Sequence, residues 1–280
     1  MRPYNLQKAR RDHIGRKGHM LELWVDPVVS GSLLVFSFIM GTVAASAMTC
    51  LGGRLAGGGD WLRGHSVCDH CGHELKAADL IPVHSWLIHG GKCRYCGKRL
   101  SKAYPLGECA MGILFVLTAI RYGGLCAFTV RDWLLASVLL ALSVVDLKIY
   151  EIPDGLIIAG IVIWAAGIPF AQTWLGYVKS GLIAGFVMAG SLLLISLLLD
   201  RILKKDSLGG GDIKLIFMVS LYLGLAGGLL CLIVSCVIGL LFVAVMKRNK
   251  IPFGPSISLA AILTLLYGSK VTDWYLGLLR

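Results

Sequence analysis

Long apolar stretches alternate with short polar ones along this chain. Residues 29–51 carry no charge and are long enough to span a bilayer. A second run, about 104–121, is interrupted by Glu108. A third covers about 128–147, with Trp133 near one end in the place of an interface anchor. Runs at 155–178 and 180–199 follow. Residues 215–246 are uncharged for 32 positions. That is long for one upright crossing, and it reads as two short helices broken at Gly224, Gly227 and Gly228, or as one tilted helix. A last run, about 251–269, opens near Pro252 and Pro255. The expectation is an all-α polytopic membrane protein of eight helices, or seven if 215–246 is one helix. Continuous apolar runs exclude the alternating pattern of a membrane barrel.

The polar intervals set the domain plan: a basic leader at 1–28, a first span at 29–51, a loop domain at 52–103 and the remaining spans within 104–280. The first 20 residues of the leader set Arg2, Lys8, Arg10, Arg11, Arg16 and Lys17 against Asp12. No apolar core follows inside it, so it is not a signal peptide. Translation from Met20 instead of Met1 would give a more ordinary membrane protein.

Composition supports this class. The chain is 56% hydrophobic with only 15% charged residues, against about a quarter in soluble domains. Its mean hydropathy is +0.76. The net charge of +11 would suggest nucleic acid in a soluble protein. Here it reads as loop charge that fixes orientation, and no nucleic-acid partner is expected. With eight spans, sixteen Lys and Arg fall on the face of the 52–103 loop. Five fall opposite: Arg121, Arg131, Lys179, Lys270 and Arg280. The loop face is therefore cytoplasmic. Between this loop and Asp146 the chain crosses twice, and between Asp146 and Asp212 twice again. All three share that side under either count. The leader is the exception, since one crossing puts it outside.

Two features carry chemistry. Cys68-Asp69-His70-Cys71 and Cys93-Arg94-Tyr95-Cys96 are separated by 21 residues. Two such knuckles offer four thiolates to one tetrahedral zinc ion, which would fold a loop too small for a large core. A redox dithiol or plain reduced thiols are the alternatives. His65, His70, His73, His84 and His89 read as loop residues. The other cysteines, Cys50, Cys109, Cys126, Cys231 and Cys236, lie in or beside apolar runs, which suits a reducing face.

The second feature is acidic. Asp146 closes the third apolar run, and Gly209-Gly210-Gly211-Asp212 opens the sixth. Acids at membrane segments are costly unless they do something. Two carboxylates brought close share a proton, so one can take a proton from water while the other holds a carbonyl. The glycines would let the backbone approach a substrate strand. A glycine turn followed by a capping Asp is the plainer alternative. Glu151 and Asp154 are loop or cap acids that could stand in for either partner. Lys148 and Lys214 read as snorkelling cations. Glu108 is open to three readings: a cap, a partner for loop cations, or part of a binding site.

Taken in order, Cys68-x-x-Cys71, residues Ile81 to Leu87, Gly91 to Cys96, Tyr104-Pro105-Leu106-Gly107-Glu108, Asp146 with Ile152-Pro153-Asp154, and Gly209 to Leu215 resemble the type IV prepilin peptidases. The resemblance runs from about residue 29 to 265. It implies a membrane aspartyl protease of the bacterial inner membrane that cuts basic leaders from prepilins or pseudopilins at the cytoplasmic face. Asp146 and Asp212 match its catalytic acids. The four cysteines match its zinc ligands. Gly209, Gly210, Gly211, Glu151, Asp154 and Glu108 are the substrate-side candidates. Many members also methylate the new N-terminus with S-adenosylmethionine. Here Gly41-Thr42-Val43-Ala44-Ala45 lacks the family's Asn, although Arg54 keeps a downstream basic position; the departure bears on methylation more than on proteolysis. A peptidase without methyltransferase activity, an ion-coupled transporter and a membrane-tethered zinc module are the competing readings. The expected partners are prepilin substrates and membrane lipids.

Overall fold

A computed structural model describes residues 19–22, 27–58, 67–68, 70–204, 209–246 and 252–278. The basic leader at 1–18, His65, Asp69, Lys205, Lys247, Arg248, Lys250 and Arg280 lie outside the described residues. The chain folds as two compact units, one of 20–133 and one formed chiefly by 134–280.

The first unit holds α1 (Pro27–Ala56), a short α2 (His84–Ile88), α3 (Ala103–Tyr122) and the first residues of α4 (Ala127–Ile149). A small sheet pairs β1 (His19–Glu22) with β2 (Gly124–Cys126). Helices α1 and α3 cross where two glycines meet. A Cβ on Gly41 would lie 2.6 Å from the Met111 carbonyl oxygen, and one on Gly112 would enter the Phe38 ring at 2.8 Å. Small residues let membrane helices approach in this way.

Trp133 is not the expected interface anchor. It is buried, its ring stacks on Phe115 with centroids 4.6 Å apart, and its indole N–H donates to Thr118 Oγ1 at 2.6 Å. A buried acceptor on α3 satisfies the one polar atom that would otherwise hold it at the headgroups. Beside it, Tyr122 donates to Asp132 Oδ2 at 2.7 Å, and Arg131 pairs with Asp132 Oδ1 at 2.7 Å. The cluster joins the facing ends of α3 and α4.

The second unit contains the rest of α4, α5 (Asp154–Ala166), α6 (Trp174–Leu203), α7 (Gly210–Met246) and α8 (Gly254–Leu278). Its core is Leu139, Leu142, Val145, Leu215, Ile216, Met218, Val219 and Ile257, all fully buried. Against the expected border near 179, α5 ends at Ala166 and α6 already begins at Trp174. Gly167 and Pro169 end the first helix and Lys179 lies inside the second. A lone lysine can stay helical near a membrane edge by extending its stem to the interface. Helix α7 breaks at Gly224, whose φ of 71° and ψ of 178° are non-helical, as one of the two readings of that run requires. Counting α7 as two, and leaving aside the one-turn α2, eight α-helical segments remain among the described residues. Five helices are long and apolar enough to cross a membrane, and 154–170 adds a shorter apolar stretch. The outer face of α6, including Leu194, Leu197 and Leu198, is exposed, as a lipid-facing helix requires. The protein is an all-α polytopic membrane protein.

Candidate active site and metal centre

Asp146 lies in the last turn of α4 and is only 4% exposed. Its Oδ2 accepts the Gly254 backbone N–H at 2.8 Å, from the start of α8 and 108 positions away. After α4 the chain turns through Tyr150, which sits at φ 57° and donates its N–H to the Asp146 carbonyl at 2.9 Å. Pro153 then precedes α5, whose first residue is Asp154.

Asp212 is the third residue of α7 and is half-buried. The start of that helix rests on the turn after α4. A Cβ on Gly211 would lie 3.0 Å from Ile152 Cβ, and one on Gly209 would lie 3.2 Å from Asp212 Oδ2. Packing of Gly211 against Ile152 thus brings Asp212 toward the end of the helix that carries Asp146. A pair of acids brought together from two helix ends and partly shielded from water can share a proton and activate a water molecule.

The other acidic candidates fall into different places. Asp154 Oδ1 takes an ion pair from Lys214 Nζ at 2.7 Å, both groups exposed, so Lys214 has a protein partner beyond the headgroups expected for it. Glu151 is exposed. A Cβ on Gly210 would meet nothing within 4 Å, so that position is open on its surface. In the first unit, Glu108 Oε2 accepts the Val83 N–H at 2.7 Å. Its partner in the loop is thus a backbone amide and not one of the loop cations.

The four cysteines Cys68, Cys71, Cys93 and Cys96 converge, with all ligand atoms within 4.8 Å of one another. Both knuckles have the same build. Cys68 N–H donates to the His73 carbonyl and Gly72 N–H to the Cys68 carbonyl; Cys93 N–H donates to Lys98 and Gly97 N–H to Cys93. Gly72 and Gly97 stand at φ 68° and 71°. Each CxxC is thus followed by a glycine that makes the left-handed turn, a signal present in the sequence but unused in the spacing argument.

The thiols fit a metal chemically. Backbone N–H donors of Cys96 and Tyr95 bring Cys93 down to about 7. The His73 N–H favours the Cys71 thiolate too, but desolvation and the neighbouring Cys68 and Cys96 sulfurs push Cys71 up to about 11. Four crowded thiols cannot all ionise without a cation among them. The cluster can hold one metal ion, and S···S distances of about 3.8 Å in a tetrahedral four-thiolate site lie inside the observed limit. Among the described residues no histidine joins it. The His73 ring lies tilted against Tyr95, with centroids 3.7 Å apart.

Asp79 supports the second knuckle and was not singled out by the sequence. Desolvation would raise its carboxyl. Tyr95 Oη at 3.0 Å, the Lys76 N–H at 3.1 Å and the charges of Arg94 and His89 hold it below the ordinary carboxylate range. Gly254 was also missed, because its role appears only when α8 is laid against α4.

Comparison with known proteins bears on both units. Residues 39–122 match the Bacterial Peptidase A24 N-terminal domain, and residues 133–244 match the Type IV leader peptidase family. A curated relative named prepilin leader peptidase/N-methyltransferase from Stutzerimonas stutzeri is 33% identical over 77% of this chain and 76% of its own. One of the same name from Bacillus subtilis (strain 168) is 30% identical over 87% of this chain and 98% of its own. Another from Aeromonas hydrophila is 34% identical over 75% and 74%. No solved structure matches the chain significantly. With both units matched, and relatives above 30% identity covering more than two thirds of either partner, the chain belongs to the type IV leader peptidase family.

Proposed function

We propose that this protein is a prepilin leader peptidase that cuts with Asp146 and Asp212. The observation that carries the reading is the packing of Gly211 on Ile152, just past the end of α4, which sets Asp212 at the start of α7 near the helix end that carries Asp146, 66 positions away in sequence. The ionised carboxylate takes a proton from water, whose oxygen attacks the scissile carbonyl carbon. The protonated partner donates a hydrogen bond to the carbonyl oxygen. Return of a proton to the departing amine breaks the C–N bond and restores the pair. Placement of both acids at helix ends favours this over ion transport, which would place acids deep in the spans.

The substrate follows from the surroundings. A prepilin offers a basic leader joined to an apolar helix. The apolar helix would lie in the bilayer beside the spans, and the leader would remain on the cytoplasmic side, where loop charge orients the catalytic face. Glu151, exposed next to the turn, would attract the leader; Asp154 is already partly neutralised by Lys214. Open space over Gly210 suits an extended segment approaching the helix start. The cysteine cluster would hold zinc and fold the loop around it, taking no part in hydrolysis.

The named relatives favour a second activity, N-methylation of the new terminus by S-adenosylmethionine. The absent Asn near Gly41 weighs against it. The chain shows no glycine-rich nucleotide fold, so no step is assigned to that donor. One experiment reads both activities. The protein in membranes is incubated with a synthetic prepilin N-terminal segment, with and without the methyl donor, and products are weighed by mass spectrometry. Release of the intact leader supports the peptidase, and uncut substrate rejects it. A gain of one methyl mass on the product, only with the donor, supports methylation.

A further inference from the structure

We propose that Gly254 is a positioning residue of the active site, whose backbone N–H aims the Asp146 carboxylate and whose missing side chain makes room for it. The proposal rests on the aspartate pair and extends the site to a third element, the start of α8.

Three observations support it. First, the Gly254 N–H meets Asp146 Oδ2 at 2.8 Å in a buried setting. Among the described residues no other donor reaches that carboxylate. This hydrogen bond occupies one oxygen and leaves the other for water or for Asp212. The donor belongs to a helix N-terminus, where amides lack intrahelical acceptors. The next residue, Pro255, has no N–H to offer.

Second, a Cβ at 254 would lie 2.6 Å from Asp146 Oδ2, 3.2 Å from its Cγ and 3.3 Å from Leu142 Cδ2. The neighbour is a short carboxylate at a buried helix end, with little freedom to swing aside. Backbone conformation does not demand glycine here, since Gly254 is absent from the positive-φ positions. Space beside the carboxylate is the remaining requirement.

Third, the segment is pinned. Phe253 lies against α7, with its ring carbon 3.2 Å from where a Cβ on Gly239 would stand, and its carbonyl accepts the Ile257 N–H at 3.0 Å. The donor therefore comes from a fixed frame.

Two variants test the proposal. Gly254→Ala adds the obstructing methyl. Replacing Gly254 by glycolic acid through nonsense suppression removes the N–H and adds no bulk. Both are purified in detergent, checked for monodispersity and thermal midpoint, and assayed on a prepilin segment. A charge-assisted hydrogen bond of this kind is worth about tenfold to a hundredfold in rate. The expected result is a kcat lower by about that factor in each folded variant, a KM within about twofold and a displaced pH–rate profile. A folded variant of either kind with unchanged kcat overturns the proposal, as does a rise in KM alone. If the alanine variant fails to fold, the ester variant decides. Asp146→Asn and Asp212→Asn are run in parallel. Cleavage retained by those two removes the pair and Gly254 with it. Cleavage lost by those two but kept by the Gly254 variants removes Gly254 alone.

Discussion

Glu108 offers a worked test of whether a sequence-selected acid serves the loop or the substrate. Its Oε2 holds the Val83 N–H at 2.7 Å. Val83 occupies φ 59° and ψ −49°, and the His84 N–H closes back on the Pro82 carbonyl at 2.5 Å. This is a γ-turn centred on a β-branched residue, a conformation that costs about 1–3 kcal/mol. A hydrogen bond to a charged acceptor contributes about 1.5–3 kcal/mol, and the lower end applies to a half-buried carboxylate. The bond therefore offsets much of the strain. Glu108→Ala should open the turn by at least about 1.5 kcal/mol, speeding local hydrogen exchange about tenfold or more. Glu108→Gln keeps a neutral acceptor at about half the strength, so exchange should rise only about fivefold or less. Hydrogen exchange with mass spectrometry in detergent would follow a peptide spanning 81–88, with one from 134–149 as internal control. Unchanged exchange at 81–88 in Glu108→Ala would refute the reasoning. So would a normal exchange pattern with a KM raised more than about tenfold in Glu108→Gln, which would make Glu108 a substrate contact.

Other expectations follow from the same geometry. Cys93→Ser should lower bound metal from about one ion per chain to near none, and loosen 67–103, read by elemental analysis and hydrogen exchange. Asp79 is held below its ordinary range, so its contribution is fully present above the unfolded value near about 4. It is lost as pH falls through the lower folded value. The difference in loop protection between wild type and Asp79→Asn should thus be present at neutral pH and close in acid; a gap that widened in acid would reverse the sign. Gly211→Ala presses a methyl on Ile152 and shifts Asp212 by a few tenths of an ångström. It should cost about 1 kcal/mol in stability but about tenfold in kcat, measured by thermal melting and cleavage assays.

How much of this was legible depended on whether the signal was local. The metal cluster was, because each knuckle carries both ligands within four residues and differs only in which partner it meets. The break in α7 was, because Gly224 interrupts a run too long for one crossing. The border of α5 and α6 was not: a charge at Lys179 outweighed Gly167 and Pro169, yet a lysine can stay helical and a proline cannot extend a helix. Trp133 misled because its amphipathic ring suits the interface, and only Thr118 across the hairpin shows that its N–H is satisfied inside. Gly254 was invisible for a longer-range reason. Its partner lies 108 positions away, and beside Pro252 and Pro255 it reads as one more helix-start residue. The aspartates drew notice as acids at membrane-helix ends, and the resemblance supplied their pairing.

The central claim is that Asp146 and Asp212 act as one catalytic pair. Asp146→Asn and Asp212→Asn preserve size and remove only the ability to ionise, so each should fold and neither should cut. Prepilin cleavage in membranes, normalised to folded protein, should fall to background in both. Near-normal cleavage by either folded variant would contradict the account.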